Sequence, residues 1–220
     1  MRFHNESEFR NFMLAQGRSP LTVDIYSRTL RRYLKMGKPT MKNSMTFLAD
    51  AGRLSQGPYF SAIKMYESFR SINHNRTPIL PKGIKLMPKP RKPVKVVKRD
   101  DIIRMLQWRH PIKCLRTVRN RSLLALVYAC GLRRSEAANL KMSDLRPDTR
   151  EISVTGKRGK TRPVPVADFA WDLLARWLIK TARLRTARPE AWPTIFNLDD
   201  GTIYKVLSTM ATGAGLAGFY

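Results

Sequence analysis

The sequence is poor in the residues from which most chemically active sites are built. It has two cysteines, Cys114 and Cys130, in 220 residues. That is too few for a disulfide framework or a cysteine zinc site, and the expected setting is a reducing, cytoplasmic one. Its histidines, His4, His74 and His110, are scattered without metal-ligand spacing, so neither a metal nor another cofactor is expected. Glycine-rich phosphate loops are missing, because neither GxGxxG nor GxxxxGK followed by Ser or Thr occurs. The longest wholly apolar run, Leu123–Cys130, is far too short to cross a bilayer, and Arg2, Glu6, Glu8 and Arg10 leave no apolar stretch for a signal peptide. Acidic residues are scarce as well: 16 Asp and Glu face 42 Lys and Arg, a formal net charge of +26. Such an excess excludes an ordinary metabolic enzyme and points to a polyanionic partner, nucleic acid before a membrane surface.

The residues that are present describe a folded protein. Hydrophobic content of 43% supports one or two globular domains, not a basic tail. The charge is uneven along the chain. Residues 76–99 carry nine basic residues, no acidic ones and five prolines, Pro78, Pro81, Pro88, Pro90 and Pro93. Proline fixes φ and removes backbone donors, so this stretch is expected to be extended and non-helical. It reads as a basic connector between residues 1–75 and 100–220, following a phosphate backbone through Lys89, Arg91, Lys92 and Lys95. The bland alternative is a solvated linker that aids solubility.

Residues 1–75 are expected to form four short helices. Asn5 and Glu8 have capping-box spacing ahead of Phe9, Phe12 and Met13. Ser19-Pro20 is a cap followed by proline at the first helical position, and Leu21, Ile25, Tyr26, Leu30, Tyr33 and Leu34 then repeat at helical spacing. Met41, Met45 and Leu48 suggest a third apolar stripe, and Phe60, Ile63, Tyr66 and Phe69 a fourth. Helical spacing assigns these aromatics to a core in preference to base stacking. Arg28, Arg31, Arg32 and Lys35 surround the second helix; Arg28 and Arg32 are candidate phosphate contacts.

The second half mixes helix and strand. Ile102, Met105 and Leu106 suggest a short helix, and Arg119–Cys130 a strong apolar one closed by Gly131. Ser135 is read as the cap of the next helix, with Glu136 favourable to its positive end. Glu151–Thr155 and Arg162–Val166 flank Gly156-Lys157-Arg158-Gly159-Lys160, a β-hairpin with a cationic turn. Trp171, Leu174, Trp177 and Leu178 line a further helix, and Thr202 is read as the cap of a last one carrying Ile203, Val206, Leu207 and Met210. The fold class expected is mainly α with a small β-hairpin or sheet.

Two features carry chemistry. The segment Ala129-Cys130-Gly131-Leu132-Arg133-Arg134-Ser135-Glu136 places arginine between a buried helix and the next, where a guanidinium offers a bidentate fork to phosphate and Glu136 can orient it. The alternative is an interhelical ion pair without a substrate. The turn bearing Lys157, Arg158, Lys160 and Arg162 can enter a DNA groove or bring an ammonium to a leaving oxygen; its alternative is a solvated tip. Arg119, Arg121 and Arg134 complete the candidate DNA contacts.

In this order and spacing the chain resembles the tyrosine recombinase (phage integrase) family. Ser19-Pro20-Leu21-Thr22 and Tyr26 resemble its SAM-like core-binding domain, so the expected layout is that domain over 1–75, the linker over 76–99 and the first part of an α+β catalytic domain over 100–220. Asn120–Glu136 is similar to the family's first box, and Val154–Arg162 to its hairpin. The resemblance implies that Arg133 clamps the scissile phosphate, that Glu136 is its acidic partner and that Lys157 is the catalytic lysine. It also implies a two-lobed clamp around duplex DNA. The family's second box, a His-x-Leu-Arg-His-like stretch, has no counterpart before Tyr220, and no histidine follows His110. The box-two residues and the nucleophilic tyrosine are therefore expected to be missing, and Tyr220 lies too early for that role. The reading is a duplex-DNA-binding protein that does not cleave by itself, acting alone, with other copies or with a full-length recombinase. Its alternatives are an active recombinase seen in truncated form and a general basic nucleic-acid binder. Lacking the later segment, the chain is expected to be monomeric in solution and to leave Leu123, Leu124, Trp177 and Leu207 without full cover.

Overall fold

The structure is a computed structural model. It describes residues 5–74, 79–80, 83–84, 86, 97–108, 115–156 and 159–216. The chain divides into two compact units, Met1–Pro93 and Val94–Tyr220. Among the described residues no helix is long and apolar enough to cross a membrane.

The first unit holds four helices: α1 (Glu6–Ala15), α2 (Pro20–Leu34), α3 (Met41–Ala49) and α4 (Arg53–His74). Ser19 Oγ accepts from the Thr22 amide and Pro20 opens α2, as a helix start with few orphan donors requires. Asn5 occupies the cap position of α1, and its side chain makes no capping bond. Phe9, Met13, Val23, Leu30, Tyr33, Ile63 and Phe69 form the core. The rings pack on each other, Phe9 edge-on to Phe69 with centroids 5.5 Å apart and Phe47 stacked on Tyr59 at 5.0 Å. The stripe expected on α3 is rotated. Met41 and Met45 are exposed, while Ser44, Phe47 and Leu48 are buried. The cause is polar: the buried Tyr33 hydroxyl lies 2.7 Å from Ser44 Oγ, which turns the serine inward and the methionines out. Arg31 grips Glu6 and Arg10 grips Asp24, two ion pairs that tie α1 to α2.

Ile79 and Leu80, which fall near the start of the stretch read as a connector, pack with the first unit. Both are buried in the first unit's core, and both amides donate to Glu67 Oε1. Apolar burial and a shared carboxylate hold these two positions to the first unit. Lys89, Arg91, Lys92 and Lys95 lie outside the described residues.

The second unit runs α5 (Arg99–Gln107), α6 (Leu115–Cys130), α7 (Arg134–Asn139), β1 (Leu145–Arg146), β2 (Glu151–Thr155), β3 (Thr161–Pro165), α8 (Asp168–Ala187) and α9 (Asp200–Gly213). The strands form an antiparallel sheet in the order β1-β2-β3, with Ile152 opposite Val164 and Val154 opposite Arg162. The hairpin expected from sequence thus gains a third, two-residue strand. Helix α6 begins four residues earlier than its apolar run suggests, and α6 and α8 pack along their lengths. Trp177 anchors the core, its Nε1–H donating to the Ile195 carbonyl at 2.8 Å. Arg185 donates to the same carbonyl and lays its guanidinium over Trp192, 4.6 Å from the ring centroid. Two cap assignments change. Arg133, not Ser135, precedes α7, and Asp199, not Thr202, caps α9 by accepting from the Thr202 amide at 2.7 Å. The concern over uncovered apolar surface is also corrected: Leu123, Leu124, Trp177 and Leu207 are all buried, covered by α8, α9 and the Ile195-Phe196 segment.

Candidate nucleic-acid interface

The site is built where α6 stops. Gly131 adopts φ +58°, a left-handed conformation that costs glycine least, and Leu132 turns back to bond Val127 and bury its side chain. That anchor leaves Arg133 extended at the edge of the unit, immediately before α7. Glu136, three residues on, closes the helix start: its Oε2 accepts from the Arg133 amide at 2.9 Å. Its Oε1 accepts from Arg133 Nη1 at 2.8 Å.

A second arginine reaches the same carboxylate from the sheet. Arg162 Nη1 donates to Oε1 at 3.1 Å and Nη2 to Oε2 at 3.2 Å. Glu136 is thereby buried, its side chain 3% exposed, beneath Arg133 at 72% and Arg162 at 43%. The hydrogen bonds from Arg162, with those from Arg133, outweigh burial and hold the Glu136 carboxyl down to about 2. Gly156, just after β2, borders this arrangement: a Cβ there would sit at ordinary contact distance, 3.4 Å from Arg162 Nη1 and 3.5 Å from Glu136 Oε1. Arg133, Ser135, Glu136, Asn139, Thr155 and Gly156 line an open pocket of about 450 Å³.

Of the residues singled out in the sequence, Arg133, Glu136 and Arg162 come together here. Lys160 is exposed at the end of the adjoining turn, where its carbonyl accepts from the Gly156 amide at 2.8 Å. Lys157 and Arg158 lie outside the described residues, as does Tyr220. The other candidates are placed elsewhere. Arg134 faces α9, 3.5 Å from Asp200 and over the Tyr204 ring. Arg121 donates to the carbonyls of Gln107 and Trp108, tying α6 to the end of α5. Arg119 bonds its neighbour Asn120. In the first unit, Arg28 bonds the Asp24 carbonyl, and Arg32 bonds the Tyr59 hydroxyl and stacks over that ring.

The sequence reading missed the link between Arg162 and Glu136, although a signal for it was available. Residues opposite each other in an antiparallel pair share a face. Ile152 and Val154 face the core, so Arg162, opposite Val154, points inward with Val164. An inward arginine needs an acid, and Glu136 supplies it.

Comparison with known proteins gives the family and the fold. The Phage integrase family profile matches residues 95–216, more than half of the chain. Tyrosine recombinase XerA of Thermococcus kodakarensis is 29% identical over 178 residues, covering 78% of this chain and 60% of that protein. Tyrosine recombinase XerC of Xanthomonas campestris is 36% identical over 118 residues, covering 53% of this chain and 36% of that protein. A lambda integrase (75–356) dimer bound to a COC' core site superposes with a TM-score of 0.66 at 15% identity, over 99% of this chain and 80% of that one. XerH bound to a difH substrate gives 0.66 at 19% identity, over 96% and 69%. The fold, mostly helical with a small antiparallel sheet, is that of the integrase and Xer recombinases. The chain belongs to the phage integrase family. It spans 60% of the length of its Thermococcus relatives.

Proposed function

We propose that this chain grips duplex DNA and that the pocket lined by Arg133 and Glu136 seats a backbone phosphate, in site-specific recombination or its control. The observation that carries the reading is Arg133 itself. One of its guanidinium nitrogens is held by a buried carboxylate, and among the described residues its side chain makes no other hydrogen bond. A guanidinium so oriented is a ready donor to a phosphodiester oxygen. Family membership supplies the substrate class, and the charge of +26 agrees with it. Residues 1–75 are read as a SAM-like core-binding domain, 76–99 as a basic linker and 100–220 as the first part of a catalytic-type domain. Both units are read as meeting the double helix, and Lys157 is kept as a candidate phosphate contact. The setting is cytoplasmic, and the partners beyond DNA are other copies or a full-length recombinase.

The chemistry of the pocket supports binding without attack. Its hydroxyls, Ser135 and Thr155, need a base to become nucleophiles. The carboxylate beside them, held near 2 by its arginines, is a poor proton acceptor at neutral pH. Anisotropy of a labelled duplex tests the binding: Arg133→Gln should weaken it about tenfold, the loss of one charged hydrogen bond. Affinity that ignores salt, or is equal for single-stranded RNA, refutes the reading. The second reading, an active recombinase, is favoured by the greater length of the relatives. A protein–DNA adduct formed by this chain on a nicked suicide substrate would establish it and overturn the first.

A further inference from the structure

A carboxylate offers about four acceptor positions. The Glu136 carboxylate has all of them filled: two by Arg133, through its amide and Nη1, and two by Arg162, through Nη1 and Nη2. The division is uneven in purpose. Arg162 spends both terminal nitrogens end-on, one to each oxygen, whereas Arg133 spends one and stays the more exposed of the two. If Arg162 were removed, two acceptor positions would open within reach of Arg133. Its fork would then close bidentately on Glu136, the stronger geometry for an arginine and a carboxylate.

We propose that Arg162 is a positioning residue that, by occupying half of the Glu136 carboxylate, keeps the Arg133 guanidinium from closing on its own acid and holds it open to a DNA phosphate. Arg162 also ties β3 to the start of α7, because it stands on the inner face of the sheet opposite Val154. The arginine on the strand sets the geometry and the arginine at the helix start reads the ligand. This rests on the phosphate-binding reading above.

The test is a double-mutant cycle on the full chain, read by anisotropy of a labelled duplex at one fixed salt concentration. Arg133→Gln and Arg162→Met should each weaken binding about tenfold. In the Arg162→Met background, adding Arg133→Gln should cost less than about threefold, since Arg133 is already consumed. In a Glu136→Gln, Arg162→Met background, Arg133 has no anion to close on, and Arg133→Gln should again cost about tenfold. Arg162→Lys preserves the charge and the fold but not the fork, so it should still lose at least about threefold. Losses that multiply to about a hundredfold in the double variant, or Arg162→Lys binding like the wild type, overturn the proposal and make Arg162 an independent cation. An Arg133→Gln variant that binds as tightly as the wild type refutes the phosphate reading, and the proposal falls with it.

Discussion

Protonating Glu136 should unlock the second unit, and the size of the effect can be worked from its contacts. The carboxyl lies at about 2 in the folded state against an ordinary value of 4.5. At roughly 1.4 kcal/mol per pH unit that difference corresponds to about 3–4 kcal/mol. Both arginines are substantially exposed, and solvent screens their charges, so the realised contribution is about 1–3 kcal/mol. The sign follows from the depression. Above pH 4.5 the carboxylate is ionised in both states and the stabilisation is complete; as pH falls from 4.5 toward 2 the unfolded chain takes up the proton first and the stabilisation is lost. Glutamine keeps the shape and removes the charge. Urea unfolding of wild type and Glu136→Gln should therefore differ by about 1–3 kcal/mol at pH 6–7, and the gap should close steadily below pH 4.5. All four tryptophans, Trp108, Trp171, Trp177 and Trp192, fall in residues 94–220, so their fluorescence reports this unit alone. A gap that is the same at pH 6 and pH 3 would refute the assignment of Glu136 as the ionised hub of the pocket.

Four further outcomes are expected. Replacing Lys89, Arg91, Lys92 and Lys95 together with alanine should weaken duplex binding by a few-fold to roughly a hundredfold and flatten the salt dependence; an unchanged slope of log affinity against log salt means that the connector never meets phosphate. Gly131→Ala should cost about 1–2 kcal/mol in urea unfolding, because alanine resists a left-handed φ while nothing crowds its methyl group. Gly213→Ala runs its methyl group into the Trp108 ring, so it should cost about 1–3 kcal/mol and shift tryptophan emission as the ring is displaced. Equal costs with unshifted emission in both variants would contradict the close packing of Trp108 on α9. In the first unit, Tyr33→Phe should cost about 0.5–1.5 kcal/mol by removing the buried bond to Ser44, and no loss would mean that the hydroxyl pair does not orient α3.

Much of this protein was legible along the chain because the relevant signals are local. Helical spacing of Leu123, Leu124 and Leu126, a glycine after Cys130, serine before Pro20 and the alternation in Glu151–Thr155 each act within a turn or two of backbone. They sufficed to place the helices, the hairpin and the arginine between α6 and α7. Charge is additive and needs no fold, so the expectation of a polyanionic partner could be formed from composition alone. Contacts between distant residues were not. The rotation of α3 depends on Tyr33 meeting Ser44, and the burial of Ile79 and Leu80 on Glu67 reaching across from α4. The inward face of Arg162 follows from the alternation of the hairpin, but its pairing with Glu136 spans 26 positions and is made only when the sheet packs on the start of α7. Local sequence specifies which elements form; which side of each element meets which partner is decided when they pack, since burial and hydrogen-bond satisfaction are properties of the assembled core.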